Sequence, residues 1–389
     1  MNTKQLKLLK LAAAVICIIL IAFLIVTFSK TRVTEEKFVV GEIRNNNSTI
    51  VAYGPEKFFL NSTFIDNKIS FKLVNKNDET GETSIIRDFG NEYVKNPMIA
   101  AYNKIFFSTY ENTYYYDIET KKIVDFAQGS IQYLNENWYV TLYKDTLYKG
   151  EFYPKTYNTK TISQLTKNGD VKKCFEDEEM LYYIAYTDRS YRSLIGLKKE
   201  DLSISVFDTT EGSTEKILTA SSNKDYIFEI IQKGEAIYLR TIERKDITKK
   251  ENIELKDLTD INFIKKSYIV NEKEYNDNIY FTAINNLEEQ EFYTYEISKK
   301  ELKKEKAEQN DLSIYSYEVK LNDNSTITIS KSGAELASIN IANQNFETVE
   351  ITEVNKIDED LYFRIMVNPT IYRSCIIKVA KDGSATLYE

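Results

Sequence analysis

The chain of 389 residues contains no histidine. That single absence removes the commonest general base, the Ser–His–Asp and Cys–His arrangements, and the usual nitrogen ligands of zinc. Cysteine cannot replace it as a metal ligand. Cys17 lies inside an apolar run, which leaves only Cys174 and Cys375. Two distant thiols are expected to be separate buried residues that pack as small hydrophobes, with a Cys174–Cys375 disulfide as the other reading. Neither GxGxxG nor GxxxxGK[ST] occurs among the 12 glycines, so no phosphate-cradling loop is expected. No cofactor and no metal site is predicted.

Carboxylate chemistry remains, because a glycosidase needs only two acids at a suitable separation. The 59 acidic residues offer many pairs, and the densest are Glu176-Asp177-Glu178-Glu179 and Asp358-Glu359-Asp360. Each precedes an aromatic strand, as do Glu136-Asn137 and Asn276-Asp277-Asn278. A feature repeated at every unit reads as a turn, in which Asp and Asn bond their own backbone. Asn75 to Glu82 alternates oxygen-bearing side chains around Gly81, yet its spacing departs from a calcium loop and predicts a plain hairpin.

Two segments break the periodicity and carry the candidate binding residues. Tyr186-Thr187-Asp188-Arg189-Ser190-Tyr191-Arg192 extends one hairpin with two of the nine arginines, and Glu151 to Tyr157 enlarges the unit before it. Tyr and Arg dominate binding hot spots, so Tyr186, Arg189, Tyr191 and Arg192 are the expected partner-binding residues. The competing reading is cross-strand aromatic packing with snorkelling arginines.

The elements that must position these residues are repeated. A short aromatic strand recurs as KIFFSTY from Lys104, NWYVTLY from Asn137, MLYYIAY from Met180, AIYLRTI from Ala236, NIYFTAI from Asn278 and LYFRIMV from Leu361. A strand–turn–strand element follows each, clearest at Tyr116–Ile123 and Tyr295–Leu302. Marking one position per unit gives Lys72, Asp117, Gln164, Asp208, Glu254, Glu296, Asn340 and Lys378, at intervals of 38 to 47 residues. Units of that length with several short strands have the size of a propeller blade. The predicted fold is therefore all-β: a β-propeller of seven or eight four-stranded blades, eight fitting the spacing better. Phe106, Tyr139, Tyr182, Tyr238, Tyr280 and Tyr362 are expected at equivalent inner-strand positions. Lys299–Glu308 has helix-forming composition but no apolar stripe, and is expected to be a solvated outer strand.

Leu11–Phe28 has eighteen residues without a charge, about 27 Å of helix, which matches the hydrocarbon thickness of a bilayer. Lys4, Lys7 and Lys10 before it place the amino terminus in the cytoplasm, and no small-residue cleavage site follows it. The expected organisation is a cytoplasmic tail (1–10), a transmembrane signal-anchor helix (11–28), a linker (29–36) and an extracytoplasmic domain (37–389). In this combination the chain resembles membrane-anchored extracytoplasmic β-propellers of low-GC bacteria. The resemblance is architectural, and it implies no particular functional residue.

The net charge of −8 becomes −11 without the three N-terminal lysines, which argues against nucleic acid and anionic lipid as partners. The reading that follows is a non-enzymatic, membrane-tethered binding or scaffold protein with a protein or cell-envelope partner. The alternatives are a carboxylate-dependent envelope glycan hydrolase or lyase, and a sensor acting through a membrane partner.

Overall fold

The structure is a computed structural model that describes Ile50 to Tyr388, apart from 66–67, 136, 154–157, 167–170, 187–190, 212–213, 257, 259–260, 270–277, 306–316, 323–324, 342–345 and 368–372. All of these residues belong to the second of the chain's two units, Val40–Glu389. The apolar segment 11–28 lies outside the described residues. Among the described residues no helix is long and apolar enough to cross a membrane.

The described chain is all β. Its strands fall, in sequence order, into consecutive antiparallel sets that we number I (50–90), II (95–128), III (130–164), IV (172–211), V (215–254), VI (261–305), VII (317–340) and VIII (349–388). Sets II to VI are four-stranded sheets and set VII has three described strands. Sets I and VIII share one eight-stranded sheet through a single backbone bridge, Thr63 to Arg373. Among the described residues every set is contiguous in sequence.

The arrangement is propeller-like. First strands of neighbouring sets approach one another: Ile50–Tyr53 meets both Lys95–Ala101 and Val349–Ile357, and Glu215–Ser222 meets both Lys172–Glu176 and Ile261–Ile269. Fourth strands are the most exposed, as in Lys122–Gln128 and Asp246–Glu254. First strands are thus innermost. Their charged outer counterparts blunt edges that would otherwise recruit other chains.

Second strands are buried on both faces, which explains their continuous apolar runs. In Met180–Tyr186, Leu181, Tyr183 and Ala185 pack on set III while Tyr182 and Ile184 pack on set V. The same sharing of apolar clusters joins I to II, II to III, V to VI, VII to VIII and VIII to I.

Two sequence expectations need correction at the level of strand rank. Phe106, Tyr139, Tyr182, Tyr280 and Tyr362 do lie on second strands, but Tyr238 lies on the third strand of set V, Ala236–Glu243. The second strand there is Tyr226–Lys233. Likewise Lys72, Asp117, Glu296, Asn340 and Lys378 sit on third strands, whereas Gln164, Asp208 and Glu254 sit on fourth strands. Both strand types alternate with period two, and rank is set by hydrogen-bonded neighbours that the pattern does not encode. Glu301–Glu305 is an outer strand, as expected of the Lys299–Glu308 segment. The hairpins at Tyr116–Ile123 and Tyr295–Leu302 are equivalent, since Lys121 and Lys300 both turn with φ near +55°. Cys174 and Cys375 are both free thiols.

Candidate functional site

The two ends of each set differ in kind. First–second and third–fourth turns lie at one end, here the turn end. Second–third turns and the connections between sets lie at the other, the connection end.

The turn end is stitched by polar side chains. In successive sets one Asx turn recurs: Asn135 accepts from the amides of Asn137 and Trp138, Asp177 from Glu179 and Met180, and Asn223 from Asp225 and Tyr226. These turns reach the next set as well. Asn135 donates to the carbonyl of Lys199 at 2.9 Å, and Arg244 donates to Asp177 at 2.8 Å. Burial alone would raise the Asp177 carboxyl, but the bond and charge of Arg244 and the two amides hold it below the usual carboxylate range. Of the acidic clusters singled out in the sequence, Glu176–Glu179 is thus a turn and an inter-set stitch, Asp358–Asp360 is a turn, and Glu136 and 276–277 lie outside the described residues. In the Asn75–Glu82 hairpin Asn77 caps its own turn, and Asp78 is engaged by Lys378.

The connection end is different. Tyr93 (47% exposed) lies between sets I and II, and Tyr110 (58%), Tyr191 (45%) and Leu287 (77%) lie in second–third turns or beside them. Tyr93 and Tyr110 stand 5.6 Å apart, with Phe71 edge-on to Tyr93 at 5.2 Å. Exposed apolar groups also stand beside the turn end, at Ile204, Tyr226 and Ile247, but the paired rings of Tyr93 and Tyr110 lie at the connection end. Glu92, Glu111, Asp145, Glu211, Glu235, Glu288 and Glu289 are exposed around them, and among the described residues fewer lysines are.

Of the sequence-predicted binding residues, Tyr191 is exposed at this end, and Tyr186 is half-buried opposite Arg192. Arg189 lies outside the described residues. Arg192 is buried at 5% exposure, with its guanidinium 5.8 Å from the Tyr186 ring. It shares a strand face with Leu194, which packs on set V, so Arg192 supports the hairpin from beneath. The sequence pattern does not separate these roles, because both arginines occur in one aperiodic segment. Tyr93 and Tyr110 carry no distinct sequence signal, because Tyr110 ends a repeated strand and Tyr93 stands alone.

No protein-family model matches the chain, and no curated protein does. Among solved structures it is similar to the β-propeller domain of the Trilobed protease from Pyrococcus furiosus, at 14% identity and a TM-score of 0.40, covering 88% of this chain and 97% of that one. It is also similar to oligogalacturonate lyase from Vibrio parahaemolyticus, at 11% identity and a TM-score of 0.39, covering 90% and 93%. Kluyveromyces lactis Hsv2 matches at 11% identity and a TM-score of 0.40, covering 81% and 94%. We transfer no residue and no activity from these.

A second polar group lies between sets IV and V. Arg240 donates to Asp208 and to Glu215, Lys250 donates to Asp208, and the Glu229 carboxyl stands 3.9 Å from Arg240. Burial raises the Asp208 carboxyl, but bonds from Glu229 and Lys250 and the charge of Arg240 bring it below its ordinary value. Glu229 is 0% exposed, and burial followed by the charge of Asp208 pushes its carboxyl well above the ordinary glutamate value. The two acids could share a proton, yet both are enclosed between sheets where no sugar can reach them. They hold the sets together.

Proposed function

We propose that this chain is a non-enzymatic, membrane-tethered binding or scaffold protein that receives a protein or cell-envelope partner on its connection end. In this reading sets I to VIII form one closed ring of eight blades. Leu11–Phe28 anchors the ring in the cell membrane, with the amino terminus cytoplasmic and 37–389 outside.

One observation supports the reading above the others. The connection end leaves Tyr93, Tyr110, Tyr191 and Leu287 in solvent, and the rings of Tyr93 and Tyr110 stand together 5.6 Å apart. Rigid tyrosines supply contact area at low entropic cost, and they are frequent interface anchors. Arg189 completes the set from the Tyr186–Arg192 hairpin, with Arg192 holding Tyr186 in place.

Replacing Tyr93, Tyr110 and Tyr191 together by Ala in the full chain tests it. Capture of cross-linked envelope partners is expected to fall at least tenfold, about 1.4 kcal/mol. Global stability should stay within about 1.5 kcal/mol of the parent, since each exposed change costs about 0.5 kcal/mol at most. Glu178→Ala and Asp358→Ala, at the turn end, should capture normally. Undiminished capture by the triple variant, with loss in either turn-end variant, would move the binding surface to the other end.

Topology has its own test. Protease added to intact cells should digest the domain and leave a short N-terminal stub in the membrane. A fully protected chain, or a mature form that begins near Ser29, would overturn the anchor.

A further inference from the structure

We propose that Glu229 makes the contact between sets IV and V a proton-sensitive joint. When protonated, Glu229 donates to Asp208 and the sets stay locked. When it loses that proton, three carboxylates face two cations inside an apolar contact, and the joint loosens together with the Tyr191–Arg192 strand start.

The geometry carries this. Glu229 lies on Tyr226–Lys233 between Ile227 and Ile231, both of which pack into the apolar cluster that sets IV and V share. Neither of its carboxyl oxygens receives a hydrogen bond. Arg240 is already committed to Asp208 and Glu215, and Lys250 to Asp208. As a carboxylate, Glu229 can only accept and finds no close donor. As an acid it becomes a donor beside an acceptor-only neighbour. An unpaired buried charge is far costlier than a neutral hydrogen-bonded acid.

The groups facing it from each packed element are few. Set IV contributes Lys172, Cys174 and Asp208, and set V contributes Glu215, Tyr238, Arg240 and Lys250. Cys174 titrates near 11, because burial raises it, and Asp208 titrates below its ordinary range. The absence of histidine now matters. With no histidine in the chain, none stands beside Glu229 to compete for the proton.

A folded-state value above the unfolded one means stability is full below the unfolded glutamate value. It is lost as pH rises toward the folded value, tenfold in the folding constant per pH unit while only the folded state holds the proton. Urea unfolding of the full chain between about pH 5 and about pH 8 should show this decline in the parent protein and a flat profile in Glu229→Gln. Amide exchange on the parent protein provides a second readout that needs no variant. Beyond the intrinsic rate change, Tyr191–Lys198, Ile204–Glu211 and Tyr226–Lys233 should open as pH rises while set II does not. Equal pH profiles for parent and Gln forms, or opening spread evenly over all sets, would overturn the joint. This inference stands independently of the partner-binding reading.

Discussion

Replacing Asp78 by Ala lowers the stability of the full chain by about 3 kcal/mol, the usual penalty for removing one member of a buried charge cluster. Asp78 sits in the third–fourth turn of set I and receives Lys378 at 2.6 Å and the Tyr388 hydroxyl, both from set VIII. Lys57 of its own set stands 3.8 Å away, and Lys378 also reaches Asp360 at 3.1 Å. The side chains involved are mostly buried, so the loss strands two cations that only Asp360 partly offsets. Among the described residues the first and last sets share one backbone bridge, and this cluster, the Ser62–Ser374 hydrogen bonds and the apolar contact of Phe59, Tyr362, Ile376 and Tyr388 add to it.

The same residue sets an acid limb. Burial raises the Asp78 carboxyl, but the bonds from Lys378 and Tyr388 and the charges of Lys378 and Lys57 win and lower it. Its stabilisation is therefore present above the unfolded aspartate value of about 3.9 and is lost as pH falls through the lower folded value. Asp78→Ala should unfold with a shallower acid limb, measured by urea titration at a series of low pH values. A parent-like midpoint together with a parent-like acid limb would show that the Asp78 cluster does not help to join the two sets.

Gly150→Ala is expected to cost about 2 to 3 kcal/mol, an overpacking effect in a filled core. Gly150 pairs with Tyr139 across the second and third strands of set III. A Cβ at Gly150 would lie 2.0 Å from the Tyr139 ring, which therefore rests directly on the glycine. Tyr139 is 2% exposed and packs on Phe126 at 5.1 Å, so it has nowhere to retreat. Covering a strand glycine with an aromatic neighbour is a known device for keeping such a position in register. The check is a double-mutant cycle. In a Tyr139→Ala background the extra methyl should cost much less, and strict additivity would mean that the ring does not sit where this packing requires.

Gly196 opposes Tyr182 in set IV in the same register, but a Cβ there would meet the tips of Phe207 and Met180 at 2.6 and 2.9 Å. Those flexible ends can move, so Gly196→Ala should be the milder change in the same urea assay.

The sequence by itself determined that the domain is all β and repeated, because aromatic runs of period two entered from polar turns recur about every 44 residues. It also pointed to turns at the Glu176–Glu179 and Asp358–Asp360 clusters, since Asp and Asn favour turn positions. It excluded histidine chemistry outright, and it set out a charge-free span long enough for a bilayer.

Only tertiary structure decided the rest. Strand rank depends on hydrogen-bonded neighbours, so Tyr238 moved to a third strand and Gln164, Asp208 and Glu254 to fourth strands. Arg192 and Tyr191 are adjacent in sequence, yet the alternation of a strand sends one beneath the hairpin and the other into solvent. Glu229 was visible as a lone acid in the run Tyr226–Ile231, but a pleat position does not say which sheet will cover it. Its burial against Asp208, like the latch of Asp78 to Lys378, joins residues from different sets, and local pattern holds no record of such meetings.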